Sequence, residues 1–194
     1  MIFEHDNKGT LTLIEDTAGQ VIADIKKLLT EINVQLIVEL GTYRGGMVKH
    51  YSEWFPNVPV YSFDIAWMIS PEDAQLFQER RVSIVIGNVL NDDQLIPILL
   101  SQQCPKMLFV DNGNREVETR NYAGYLRPGD ILGFHDWRKG ECTFVRENPD
   151  IILQNFEPTW FNKKCDEDEG YSDCRFFVRK GFRDQAENWK HVNA

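Results

Sequence analysis

The sequence lacks the features that place a chain in a membrane, on an export route or on nucleic acid. No stretch approaches about 18 consecutive apolar residues, and the first ten residues, MIFEHDNKGT, have neither a basic nor an apolar leader region. The sequence has no basic patch either, and its 30 acidic residues outnumber 21 Lys and Arg, which gives a net charge of −9. Such a charge repels phosphate backbones and anionic lipid. We therefore expect a cytoplasmic protein that binds neither nucleic acid nor a membrane.

Cysteine is also scarce, and the four cysteines, Cys104, Cys142, Cys165 and Cys174, form no Cys-x-x-Cys pair. In a reducing compartment we expect free thiols, although a bridge between Cys165 and Cys174 stays open. With 194 residues, 42% of them hydrophobic, the chain is long enough for one domain whose core needs no disulfide or structural metal. The sequence leaves homo-oligomerisation open.

Apolar runs alternate with helical patterns through most of the chain, which predicts an α/β fold. Five runs of this kind precede helical or turn segments, at 34–40, 58–64, 82–87, 106–111 and 130–136. This order is typical of a mostly parallel sheet with helices on both faces. Two further strands are predicted within 151–157 and 174–181, with a loop over 160–173 between them.

We predict a single domain over residues 1–194, in three parts. Residues 1–33 form an N-terminal cap and an amphipathic helix, and residues 34–136 form the βα core. Residues 137–194 supply the C-terminal strands and a loop on the side of the substrate.

Polar residues close each of the five predicted parallel strands, where ligands bind in such sheets. They are Glu39 with the turn 41–46, then Asp64, Asn88, Asp111, and His135 with Asp136. The turn GTYRGG permits close backbone approach to a ligand, but Tyr43 stands where a dinucleotide fingerprint has its second glycine. Asp64 lies 23 positions after Gly41, where a carboxylate can accept both hydroxyls of a ribose.

Residues 36–137 resemble the class I S-adenosylmethionine-dependent methyltransferases. LIVELGTYRGG is similar to their first motif, VYSFDI to the acidic second-strand motif, and VIGNVLND, LFVDNGN and LRPGDILGFHD to the third, fourth and fifth strand segments. The resemblance is closest to the cephalosporin-hydroxylase-like and catechol-type O-methyltransferases. It implies a Rossmann-like, mostly parallel sheet of about seven strands with the last strand antiparallel. It also implies methyl transfer from S-adenosylmethionine to the hydroxyl of a small molecule.

The same resemblance implies a cofactor site at the strand ends. Glu39 would anchor the turn or the cofactor's amino group, the turn would pass beneath the methionine portion, and Asp64 would bind the ribose. Asn88 and Val89 would border the adenine. The full set of predicted cofactor-binding residues is Glu39, Gly41, Thr42, Tyr43, Gly45, Gly46, Asp64, Asn88, Val89 and Asp111.

A divalent metal, Mg²⁺ or Mn²⁺, is implied as well, with Asp111, His135 and Asp136 as its ligands. His135 departs from the expected pattern, because Mg²⁺ prefers oxygen ligands. Asn114 is a second departure, since the subgroup carries a His in the corresponding D-x-x-H segment. His135 is then the predicted catalytic base, because its ordinary pKa of about 6.5 suits proton transfer at neutral pH. Asp111 is the second predicted catalytic residue.

Two other functions stay open. Asn114 favours a protein that binds S-adenosylmethionine without transferring its methyl group. Asp64 would serve the ribose of NAD or of a nucleotide sugar equally well, so an enzyme that binds one of these is the other alternative.

Overall fold

The computed structural model describes residues 4–5, 11–12, 17–168 and 170–181. Its strands are β1 (Glu4–His5), β2 (Leu11–Thr12), β3 (Leu36–Leu40), β4 (Val60–Asp64), β5 (Val82–Ile86), β6 (Lys106–Val110), β7 (Ile131–Phe134), β8 (Phe156–Pro158) and β9 (Arg175–Arg179). Its helices are α1 (Thr17–Glu31), α2 (Gly46–Trp54), α3 (Pro71–Gln78), α4 (Leu95–Leu100), α5 (Arg115–Tyr122), α6 (Thr143–Glu147), α7 (Pro149–Ile152) and α8 (Trp160–Glu167). The pair β1 and β2 is antiparallel and separate from the main sheet.

The main sheet has seven strands in the order β5-β4-β3-β6-β7-β9-β8. The strands from β5 to β7 are parallel, and β9 is antiparallel to both of its neighbours, β7 and β8. This arrangement confirms the predicted Rossmann-like sheet with an antiparallel last strand. The strand order reverses between β3 and β6, so a crevice forms beyond the carboxyl ends of these two strands.

The core lies on both faces of the sheet because the central strands are apolar at almost every position. All five residues of β3 and all five of β6 are buried. Alternate side chains of a strand point to opposite faces, so Val38 belongs to the cluster under α4 and α5 while Ile37 packs with α1 and α2. Glu39 is the one polar residue of β3, and its carboxyl is buried with the apolar side chains around it.

The C-terminal part differs from the prediction in two places. The predicted strand over 151–157 is wrong in its first half, because Pro149 occupies the first position of the short helix α7, where a fixed φ favours a helix. Only Phe156–Pro158 extends, as β8. The predicted loop over 160–173 contains α8, whose residues Phe161 and Cys165 are one helical turn apart and both buried against α1 and β9.

None of the helices in the described ranges is long and apolar enough to span a bilayer.

Candidate active site

A cavity of about 440 Å³ opens at the carboxyl ends of β3 and β6, beside the reversal of strand order. Predicted site residues supply much of its wall, namely Glu39, Gly41, Thr42, Tyr43, Gly46, Asp64, Asp111, His135 and Asp136. The wall also contains Arg44, which lies in the predicted turn 41–46, and residues that were not predicted, namely Met47, Asn112, Gly113, Arg115, Lys139 and Glu141. Many of the predicted site residues thus share one cavity, and the cations Arg115 and Lys139 in its wall were not predicted.

The turn after β3 is tied to the end of β4. The backbone N–H of Tyr43 donates to Oδ2 of Asp64 at 2.7 Å, and the N–H of Ala66 donates to Oδ1 at 3.3 Å. Tyr43 has a φ of 45°, a strained value for a residue with a side chain. Each carboxylate oxygen keeps a second lone pair, so Asp64 can still accept hydrogen bonds from a ligand.

The neighbouring strand requires a glycine at position 41. Its φ is 101°, and a Cβ at this position would lie 2.3 Å from the backbone carbonyl oxygen of Asp111. The turn after β3 and the end of β6 therefore touch directly. This contact places the predicted cofactor turn beside Asp111.

Glu39 lies at the base of the cavity with only 2% of its surface exposed. Its Oε2 accepts a hydrogen bond from the Ser62 hydroxyl at 2.5 Å, and Ser62 also hydrogen-bonds to the Thr42 hydroxyl at 2.7 Å. Burial disfavours the ionised form and raises the pKa of Glu39 to about 8, although the bond from Ser62 opposes the shift. Glu39 is therefore mostly a neutral carboxylic acid at pH 7.

Three predicted cofactor residues lie outside the lining of the cavity. Gly45 precedes α2, and a Cβ there would meet the Ile69 side chain at 2.9 Å. The side chain of Asn88 accepts a hydrogen bond from the N–H of Leu90 at 3.0 Å, and Val89 is 1% exposed within the core. A role for Asn88 and Val89 beside an adenine stays a prediction.

Asp111, His135 and Asp136 come together beyond β6 and β7. His135 Nδ1 lies 3.3 Å from Oδ1 of Asp111 and 3.4 Å from Oδ1 of Asp136. Burial opposes the charged imidazolium, but the charge of Asp111 and hydrogen bonds to both carboxylates outweigh it and raise the pKa of His135 well above its ordinary value. The imidazole must lose a proton before it can act as the predicted base.

Two cations that were not predicted meet the same carboxylates. Arg115 Nη2 lies 2.6 Å from Oδ1 of Asp111, and Lys139 Nζ lies 2.6 Å from Oδ1 of Asp136. Burial opposes the ionisation of Asp136, but its hydrogen bonds to His135 and Lys139 prevail and hold its pKa well below the usual range. The only sequence signal for Arg115 was its spacing of four residues after Asp111.

The start of α5 fixes the position of Arg115, its first residue. The side chain of Asn114 accepts a hydrogen bond from the N–H of Val117 at 3.2 Å and so caps the helix. Glu118 accepts hydrogen bonds from the backbone N–H groups of Asn114 at 3.1 Å and Asn112 at 3.4 Å. Asn114, which departs from the subgroup's D-x-x-H pattern, thus has a structural role here.

The ligand atoms of the acidic cluster are close enough to bind a metal ion, but the ion pairs of the cluster oppose it. One ligand atom from each of Asp111, His135 and Asp136 lies within 4.8 Å of the others, and two carboxylates with an imidazole suit Mn²⁺. However, the same carboxylates already hold Arg115 and Lys139. A divalent ion would have to share these carboxylates with two cations that repel it, so these residues do not fit a resident metal.

The C-terminal part contributes differently from the prediction. Lys139 and Glu141 line the cavity, whereas Asp166, in the predicted substrate-side loop, lies outside this lining and pairs with Arg175 at 3.4 Å. The side chain of Trp137 packs on Phe134 in the core.

All four cysteines are free thiols, as predicted, and Cys165 donates to the carbonyl oxygen of Cys174 at 3.8 Å instead of bridging to its sulfur. Cys142 lies next to the site and donates to the carbonyl oxygen of His135 at 3.5 Å. Burial raises the pKa of Cys142 to about 12, so it is not a nucleophile at neutral pH.

No family model matches this chain, and no curated protein sequence matches it. Solved structures do match. A caffeoyl-CoA O-methyltransferase-like protein from Staphylococcus aureus is 16% identical with a TM-score of 0.57 and covers 88% of this chain and 86% of its own. The O-methyltransferase TomG from Streptomyces achromogenes, solved with S-adenosylmethionine, is 16% identical with a TM-score of 0.58 and covers 84% and 81%. An rRNA methylase from Streptococcus thermophilus is 12% identical with a TM-score of 0.56 and covers 88% and 100%.

These likenesses establish the fold. The chain has the fold of the class I S-adenosylmethionine-dependent methyltransferases, as its strand-end motifs predict.

Proposed function

We propose that this protein transfers the methyl group of S-adenosylmethionine to a hydroxyl of a small molecule. The observation that carries the proposal is that residues of the turn 41–46, Asp64 and Asp111 line one cavity at the reversal of strand order. Ligands bind at this position in open α/β sheets. The structure of TomG in complex with S-adenosylmethionine, on the same fold, supports the choice of cofactor.

The cofactor half of the site consists of Glu39, the turn and Asp64. Asp64 is held in place by two backbone N–H groups and would use its remaining lone pairs on the ribose hydroxyls. Glu39 would support the turn or bind the cofactor's amino group from beneath. Asn88 and Val89 would border the adenine, a role that depends on their position after β5.

The transfer itself is an in-line displacement. The acceptor oxygen would attack the methyl carbon while the carbon–sulfur bond breaks, so the sulfonium becomes a neutral thioether and the hydroxyl proton must leave. His135, once deprotonated, or Asp111 would take that proton, since both line the cavity. Much of the rate enhancement would come from alignment of the reacting atoms.

The acceptor would be a small molecule in a cytoplasmic setting. A cavity of about 440 Å³ is in the range of small-molecule sites, which measure roughly 300–1,000 Å³. The acidic surplus of the chain opposes a nucleic-acid substrate, although an rRNA methylase shares the fold. Lys139 and Glu141 would border the acceptor. We also propose that residues 1–194 form a single domain.

One observation favours a second candidate, a protein that binds the cofactor without turnover. Asn114 serves as a helix cap where the resembling subgroup has a His, so that position offers no base.

Thermal-shift and calorimetric titrations with S-adenosylhomocysteine and NAD test the cofactor. We expect S-adenosylhomocysteine to raise the melting temperature and NAD to leave it unchanged. The reverse pattern would overturn the proposal in favour of a dinucleotide enzyme. A panel of hydroxyl acceptors with labelled S-adenosylmethionine then separates the two candidates, because cofactor binding without labelled product supports the non-catalytic one.

A further inference from the structure

The guanidinium of Arg115 contacts the carboxylates of the acidic cluster. Arg115 is 1% exposed, and its Nη2 lies 2.6 Å from Oδ1 of Asp111, 3.1 Å from Oε2 of Glu141 and 3.6 Å from Oδ2 of Asp136. These three acids come from different parts of the chain. Asp111 follows β6, Asp136 follows β7, and Glu141 lies in the helical turn Gly140–Cys142. One guanidinium thus gathers the carboxylates that line one side of the cavity.

Separation of the Arg115 guanidinium from these carboxylates would cost free energy, because the group is buried. Its Nε and Nη1 are buried and have no hydrogen-bond partner among the described residues, so Nη2 makes the polar contacts of this guanidinium. A guanidinium is a hydrogen-bond donor only and carries a positive charge. If a metal ion took its place between the carboxylates, a buried cation would be left without counter-charge, which is strongly unfavourable.

A second cation, Lys139, pairs with the other carboxylate oxygen of Asp136. Lys139 Nζ lies 2.6 Å from Oδ1 of Asp136, the carboxylate whose other oxygen faces Arg115. Asp111 and Asp136, the two carboxylates of the predicted metal site, therefore both have cationic partners within the chain. A divalent ion would add two positive charges beside two carboxylates that already have two cationic partners.

We propose that Arg115 replaces the divalent metal at this site and acts as a positioning residue that holds Asp111, Asp136 and Glu141 around the cavity. The positioning role rests on the proposed methyl transfer, which would then be independent of metal. Exclusion of metal rests on the ion pairs alone. The two parts are separable by experiment.

Binding of Mn²⁺ alone, followed by electron paramagnetic resonance, tests the exclusion. We expect the wild-type protein to leave the spectrum of free Mn²⁺ unchanged. Arg115→Met removes the guanidinium at similar volume and should bind Mn²⁺ at least about tenfold more tightly, because the positive charge that repels the ion is gone. Arg115→Lys keeps the charge and should exclude Mn²⁺. Arg120→Met, a change in the same helix at a residue that pairs with Glu116, is the matched control and should resemble wild type.

The outcomes separate the two proposals. Tight Mn²⁺ binding by the wild type that Asp111→Asn abolishes would overturn the inference, even if the protein binds S-adenosylhomocysteine. Failure to bind S-adenosylhomocysteine would overturn the proposed function and leave the exclusion of metal standing. If Arg115→Met does not fold, the wild type and Arg115→Lys still decide the question. For the positioning role we expect turnover that EDTA leaves unchanged and a kcat that Arg115→Lys lowers less than Arg115→Met does.

Discussion

The amide of Tyr43 donates to the carboxylate of Asp64 at 2.7 Å, which joins the turn after β3 to the end of β4. Tyr43 has a left-handed backbone conformation, and Asp64 lines the cavity. One side chain thus shapes the turn and would also bind the ribose. Loss of that side chain should affect ligand binding more than a surface change of the same kind.

Asp64→Ala is therefore expected to weaken S-adenosylhomocysteine binding by about 10–100-fold, because hydrogen bonds to charged groups contribute about 1.5–3 kcal/mol. Isothermal titration calorimetry measures the change. Asp93→Ala, at an exposed acid outside the cavity, is the control and should bind like wild type. Equal affinities for the two variants would contradict the assignment of Asp64 to the ligand.

Glu39 should make stability depend on pH. Its pKa rises from 4.5 to about 8 on folding because of burial, so the native state binds more protons than the unfolded state across that interval. The free energy of unfolding must then fall as pH rises from 4.5 to about 8, with a slope of up to about 1.4 kcal/mol per pH unit. The Glu39→Gln variant lacks this contribution.

Urea unfolding of both proteins between these limits checks the sign. The stability of Glu39→Gln relative to wild type should increase with pH and level off above the pKa. A difference that does not vary with pH would show that Glu39 ionises normally in the native protein.

The sequence predicted the sheet well because strand-end polarity and apolar runs are local signals. Glu39, Asp64 and Asp111 each end a buried run, and parallel strands bring such ends together at one edge. Arg115 was missed because a charged residue at a helix start usually faces solvent, and only the tertiary contacts with Asp136 and Glu141 explain its burial. Local patterns carry no information about which distant carboxylates share one cation.

The helix α8 shows the same limit in the fold. Its acidic segment near Asp166 suggested a solvated loop, yet the opposite side of the helix is buried on α1 and β9. Packing against these elements overrides the local polarity, since most helical stability in proteins comes from a buried face.

The cap at Asn114 should contribute to stability independently of any chemistry. Asn114→Ala removes the acceptor for the N–H of Val117 and should lower the free energy of unfolding by about 1 kcal/mol. Asn114→Asp keeps an acceptor and adds a charge that suits a helix N-terminus, so its stability should match wild type. Chemical denaturation measures both. A stable Asn114→Ala protein would show that the cap contributes little.

Gly41 and Gly113 offer a matched test of the contact between β3 and β6. Both glycines have positive φ values, 101° and 95°, so alanine at either position costs about 1–2 kcal/mol of backbone strain. Only at Gly41 would the added Cβ also clash, at 2.3 Å from the carbonyl oxygen of Asp111, whereas Gly113 has open space. Backbone cannot yield as a flexible side chain does, so Gly41→Ala should lose much more stability than Gly113→Ala. It should also weaken S-adenosylhomocysteine binding, because relief of the clash separates the turn from Asp111. Equal losses in melting temperature for the two variants would mean that the turn moves away without cost.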